Sequence, residues 1–172
     1  MSAFEIVKRF GGDVGNVRVS SYAIEFDLLL ESKLKLQDTI KALEANLGKL
    51  LTSRELDTPV TQVDANEEIQ NGIKLFNSER YWESHEALEY AWRRASGAEK
   101  EVLQGVILLA AALVHLQKDE RKVALSVMQR AYDKLSGKDP KYFGIDIENL
   151  LDEVARMLSK GIPEFVKIKT RP

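Results

Sequence analysis

Val102-Leu103-Gln104-Gly105-Val106-Ile107-Leu108-Leu109-Ala110-Ala111-Ala112-Leu113-Val114-His115-Leu116 is the stretch that decides the fold class. Its apolar residues fall on every side of a helix, and a helix that is apolar all round belongs in the middle of a bundle. The pattern predicts a helix over 98–117. Gln104 and His115 would then be polar groups in a buried helix, and burial obliges them to find partners. The apolar run ends at Leu116, contains His115 and is too short to span a bilayer, so it reads as core. Gly105 within it is best explained by close approach of a second helix.

Working outward, helices are predicted near 65–79, 80–95, 119–136 and 145–160, with Ser136-Gly137-Lys138-Asp139-Pro140 separating the last two. A shift of 40 residues brings out a weak internal repeat. Ser84, Leu88 and Ala91 fall on Ala124, Met128 and Ala131, and Phe76 falls on Leu116. Small-x3-large-x2-small on the second helix of a pair is the packing pattern of tetratricopeptide-type hairpins. Two such αα hairpins with a capping helix make a compact bundle, because an extended solenoid needs about three repeats.

Upstream the character changes. Tyr22, Ile24, Phe26, Leu28 and Leu30 alternate with polar residues, a strand with one face buried. A helix follows with Leu36, Ile40, Leu43 and Leu47 on one stripe and Gly48 as its stop. Lys49–Leu56 reads as a short strand. Phe4, Ile6, Lys8 and Phe10 alternate as a strand would, although Ser2-x-x-Glu5 is also a capping box, and Gly11-Gly12-Asp13 reads as a hairpin turn. The expectation is therefore an α+β chain: a small ββαβ-type unit at 1–56, a linker at 57–64 around Pro59, a helical bundle at 65–160, and a basic tail at 161–172. That tail reads as a frayed end, the alternative being a strand returning to the N-terminal sheet.

Composition narrows the function. With 44% apolar and 30% charged residues, 172 residues can bury a core and keep a wet surface. A net charge of -2 without a basic stripe disfavours nucleic acid as a partner. No cysteine is present, which excludes disulfides and thiol chemistry. The N-terminus lacks a signal-peptide core, and the expectation is a cytoplasmic protein with no membrane partner and no cofactor.

The chemistry is concentrated in Tyr81-Trp82-Glu83-Ser84-His85-Glu86-Ala87-Leu88-Glu89-Tyr90-Ala91-Trp92-Arg93, which holds both tryptophans and one of the two histidines. On a helix, Tyr81, His85, Leu88, Trp92 and Ala95 form one stripe and Trp82, Glu86, Glu89 and Arg93 the next. His85–Glu89 and Glu89–Arg93 are i,i+4 pairs. His-Glu-x-x-Glu lacks the second histidine of a zinc-protease motif, so no metal site is expected. Gln104 and His115 stand about 16 Å apart along one helix and cannot share a site. A turn near Gly97 places Gln104 beside Glu89 and Trp92, and His115 beside Tyr81 and Trp82. Two clusters are thus expected: a binding site of Trp82, His85, Glu86, Glu89, Trp92, Arg93 and Gln104, and a secondary one of Tyr81 and His115.

Tyr-Trp-Glu-x-His-Glu-x-Leu-Glu-x-x-Trp-Arg followed by Leu-Gln-Gly-Val-Ile-x-Leu-Ala-Ala-Ala-Leu-Val-His resembles the helical domain-of-unknown-function family 309 of prokaryotes and plastids. The likeness spans roughly residues 66–136 and rests on Trp82, His85, Glu86, Glu89, Trp92, Arg93, Gln104, Gly105 and His115. It implies a small all-helical bundle and no particular activity. The residues themselves leave two readings open. One is a ligand- or protein-binding module around His85, Glu86 and Glu89, with the N-terminal unit as a second surface or a homodimer interface. The other is a metal-assisted or acid/base hydrolase using His85 and Glu89.

Overall fold

The computed structural model describes residues 1–56, 64–138 and 142–170. The chain divides into two compact units, 1–61 and 62–172. All of the expected linker except Asp64 lies outside the described residues. No helix among the described residues is long and apolar enough to cross a membrane.

The first unit runs α1 (Ala3–Arg9), β1 (Gly12–Val19), β2 (Ile24–Leu30) and α2 (Leu36–Leu47), so the expected ββαβ order is corrected to αββα. At the start the cap outweighs the alternation. The Ser2 hydroxyl accepts from the Glu5 N–H at 3.3 Å, and the Glu5 carboxylate accepts from the Ser2 N–H at 2.8 Å. Two orphan donors are satisfied at once, and the helical register buries Ile6 and Val7. At the other end Lys49–Leu56 forms no strand. Gly11, at φ 72°, ends α1, and Gly12 enters β1 where a Cβ would meet the Leu29 carbonyl oxygen at 2.5 Å. The glycines therefore join helix to strand, and the hairpin turns at Ser20–Ala23, where Ser20 N–H donates to the Ala23 carbonyl at 3.0 Å.

The two strands pair antiparallel from Gly12↔Leu30 to Val19↔Ile24, with a bulge between Gly15 and Arg18. The expected apolar face is only partly covered: Phe26, Leu28 and Leu30 are half-buried, while Tyr22 and Ile24 are exposed. The buried residue of the ribbon is Arg18, bonded to Glu25 at 2.9 Å and Asp27 at 3.4 Å.

The second unit contains α3 (Ala65–Asn77), α4 (Tyr81–Trp92), α5 (Gly97–Gln117), α6 (Arg121–Leu135) and α7 (Ile147–Lys160). Asp64 caps α3, accepting from the Asn66 and Glu67 N–H groups. As the apolar pattern requires, α5 is the central helix, with Val102, Leu103, Val106, Leu109, Ala110 and Leu113 fully buried.

The 40-residue repeat is visible in the backbone. The turn before α4 holds Glu79 at φ 56° and Arg80 at φ -88°, ψ 59°. The turn before α6 holds Asp119 at φ 59° and Glu120 at φ -88°, ψ 58°. In each, the N–H of the last turn residue donates back five positions, Arg80 to Leu75 and Glu120 to His115. The repeated triplet Ser84, Leu88 and Ala91 is as buried as Ala124, Met128 and Ala131.

Within each hairpin a glycine faces a leucine. A Cβ on Gly72 of α3 would meet Leu88 Cγ of α4 at 2.6 Å, and one on Gly105 of α5 would meet Leu135 Cγ of α6 at 2.6 Å. Gly105 therefore serves the close helix packing anticipated for it.

The tail is not frayed, at least to Thr170; residues 171 and 172 lie outside the described residues. After the left-handed Gly161 cap, Pro163, Val166 and Ile168 are buried. The Asn77 carboxamide donates to the Ile168 carbonyl at 2.8 Å and accepts its N–H at 2.7 Å. Asp146 N–H donates to the Lys169 carbonyl at 2.8 Å, and Ile145 bridges Thr170. The extended segment thus pairs inside the helical unit, not with the N-terminal sheet. Alternation explains it: Val166 and Ile168 point inward while Lys167 and Lys169 stay wet.

Glu164 anchors this strap to α7 through Arg156 at 2.9 Å. The Arg156 guanidinium bonded to it holds the Glu164 carboxyl below the usual carboxylate range. A lowered folded pKa contributes stability that is present above the unfolded value and lost as pH falls through the folded one. We expect the anchor to hold at neutral pH and release on acidification below the ordinary glutamate range. Carboxyl-resolved NMR titration of Glu164 checks this; a midpoint at or above the free-glutamate value would contradict it.

Candidate functional site

Burial on α4 is centred on Ser84, Leu88 and Ala91, with Tyr81 completing the stripe. The reason lies in α3. Gly72 leaves room for Leu88, and the Ser84 hydroxyl donates to the Gly72 carbonyl at 2.8 Å. This rotates the expected apolar stripe. His85 and Trp92, placed on it by the sequence, sit half-buried on its shoulder.

The opposite side of α4 carries Trp82, Glu86, Glu89 and Arg93. Trp82 is 42% exposed. Its ring lies flat on His85, with centroids 5.9 Å apart and planes 4° from parallel. Glu89 accepts from Arg93 at 3.0 Å across one helical turn. Glu86 is exposed beside them. At the foot of the helix Arg80 and Glu83 form a two-pronged pair, with Arg80 Nη2 at 2.6 Å from Glu83 Oε1 and Nε on the other oxygen. The result is an open face: a flat aromatic pair at one end, an acid–arginine pair at the other.

The remaining expected members lie elsewhere. Trp92 packs against the core, its buried indole N–H without a partner among the described residues, and the Lys100 ammonium lies 4.4 Å above its ring. Gln104 faces the groove between α5 and α6 alongside Glu101 and Arg130. Its helical position relative to Gly105, which packs on Leu135, turns it towards α6 and away from the α4 face. Tyr81 and His115 form no cluster. Tyr81 is held edge-on by Phe76 at 5.1 Å and stacked by Phe165 at 5.9 Å. His115, at the last turn of α5, pairs with Glu120 at 2.5 Å with its ring 36% exposed.

Three contributors stand outside the two clusters expected from sequence. Gln117 is the deeply buried polar residue of α5 and donates to the Glu79 carbonyl at 2.8 Å, bracing the first hairpin turn. Lys100 covers Trp92, and Glu120 takes His115. The 40-residue shift offers a signal for one of them, since it carries Gln117 onto Asn77, a carboxamide that also binds backbone.

Chemically the α4 face offers contact area and charge. Among the described residues no group of three or more His, Asp and Glu side chains is placed to hold a metal ion. Glu89 is engaged with Arg93 across one helical turn.

Residues 69–127 match a family model described as a domain of unknown function, DUF309. A conserved hypothetical protein from Thermus thermophilus, known as a crystal structure, is 38% identical to the chain. The likeness covers 52% of this chain and 94% of that one, with a TM-score of 0.46. No curated protein matches the chain.

Proposed function

Since the chain belongs to the DUF309 family through residues 69–127, we propose that this domain is a protein-binding module whose contact surface is the outward face of α4. The observation that carries this reading is the exposed Trp82 laid flat on His85. A tryptophan already held by a second ring offers a large apolar area at small entropic cost, the profile of an interface anchor. Glu86 and the Glu89–Arg93 pair supply the polar rim that such an anchor needs. The paired hairpins, with their tetratricopeptide-like small-large-small packing, support a scaffold role. A cytoplasmic protein partner, a second copy included, suits this open face better than a small ligand, which prefers enclosure. The hydrolase reading through His85 and Glu89 is the weaker one, because Glu89 is held by Arg93.

The test compares wild type with Trp82→Ala and His85→Ala in quantitative affinity capture from the source cell. A specific partner is expected to lose roughly 2 kcal/mol or more of binding on removal of the anchor, about a 30-fold drop. Thermal unfolding should change little, because Trp82 is exposed. A captured set identical for wild type and Trp82→Ala would defeat the proposal. Turnover of an ester or amide substrate that is lost in both His85→Ala and Glu89→Gln would move the reading to hydrolysis.

A further inference from the structure

We propose that the groove between α5 and α6 binds a small organic anion, a carboxylate or phosphate on an apolar body, recognised by Arg130 and Gln104. The groove is open to solvent, offers about 390 Å³ and is lined by Glu101, Gln104, Leu108, Arg130, Asp133, Lys134 and Lys138. That volume lies within the range of small-ligand sites. Three cations face two carboxylates, so the groove is net positive.

The carboxylates are already engaged. Glu101 accepts from Lys134 at 2.9 Å and lies 3.9 Å from Lys138, and Asp133 accepts from Gln129 at 2.9 Å. Arg130 and Gln104 are left with no hydrogen bond or ion pair among the described residues. This sets Arg130 apart from the other described arginines of the helical unit. Arg80 has Glu83, Arg93 has Glu89, Arg94 has Tyr90, Arg121 has Asp119, and Arg156 has Glu153.

Arg130 is exposed, and a guanidinium fork that no protein carboxylate occupies matches the two oxygens of a carboxylate or phosphate. The Gln104 amide adds a further donor from the facing helix. Half-buried Leu108 gives an apolar body something to rest on, which favours an organic anion over an inorganic one. Lys134 and Lys138 contribute field without being spent as ligands, since Glu101 holds them. The site is separate from the α4 face and does not depend on the function proposed for it.

The experiment is an amide NMR titration of the full chain at fixed ionic strength with phenyl phosphate, benzoate and inorganic phosphate. Saturable shifts confined to 101–108 and 130–138 are expected, with at least one aromatic anion binding tenfold or more tightly than inorganic phosphate. Phenyl phosphate above benzoate identifies a phosphate headgroup, and the reverse order a carboxylate. Arg130→Gln and Gln104→Met should each weaken the better anion about tenfold, whereas Lys122→Gln, on the exposed start of α6, should leave it unchanged. Unaltered amide positions outside these two segments show that each variant keeps the fold. No saturable shift at millimolar anion, or equal binding by wild type and Arg130→Gln, overturns the proposal.

Discussion

Gly72→Ala is expected to destabilise the helical unit by about 1–3 kcal/mol, although alanine is the better helix former by about 1 kcal/mol. The added methyl would sit 2.6 Å from Leu88 Cγ and 2.7 Å from Cδ2. Leu88 is fully buried and cannot swing into open space. The helices cannot simply part either, because the Ser84 hydroxyl ties α4 to the Gly72 carbonyl. Overpacking therefore outweighs propensity. Leu88→Ala alone removes a buried side chain and should cost roughly 2–5 kcal/mol. In the double variant the new methyl occupies part of the vacated space, so its cost should fall short of the sum of the single ones. Urea unfolding followed by tryptophan fluorescence reads this directly, because both tryptophans lie in the helical unit. Strict additivity would show that Gly72 and Leu88 do not compete for one volume.

Asn77→Ala is expected to loosen the strap. It removes the partner of both the N–H and the C=O of Ile168, and each group left unpaired away from water costs roughly 1–3 kcal/mol. Asn77→Asp keeps the acceptor but loses the donor, so it should fall between wild type and alanine. Hydrogen exchange separates the outcomes. In Asn77→Ala, protection should be lost first at Ile168 and Asp146, the amides that the extended segment ties down. Unchanged exchange at both would mean that burial of Val166 and Ile168 alone holds the segment.

The helical unit is legible in the sequence because its signals are local and redundant. All-round apolarity centres α5, and the repeated small-large-small triplet fixes which residues of α4 and α6 turn inward. The first unit is less so. Its opening segment satisfies a two-residue period and a capping box together, and only the geometry of Ser2 and Glu5 decides between them. The site is legible in part. The stripe of Trp82, Glu86, Glu89 and Arg93 follows from helical spacing, but periodicity cannot say that Leu88 seats in Gly72 and so turns His85 outward. Gln104 takes the other groove for a similar reason: neighbours about a turn do not specify which flank of a central helix a residue takes. The strap reads as frayed because the cations near its end mask the alternation of Val166 and Ile168.

The Asn77–Ile168 pair joins residues 91 apart, whereas Ser84 reaches Gly72 across 12. Closing a loop costs entropy that grows with its length. The hairpins can therefore form while the C-terminal segment is still free, and the segment is added to a surface that must already exist. Until then Tyr81 lacks the Phe165 ring that stacks on it, and the partly folded chain carries an apolar, strand-accepting edge that a neighbouring chain at the same stage could occupy. The step that completes the molecule is thus also the one that competes with its aggregation.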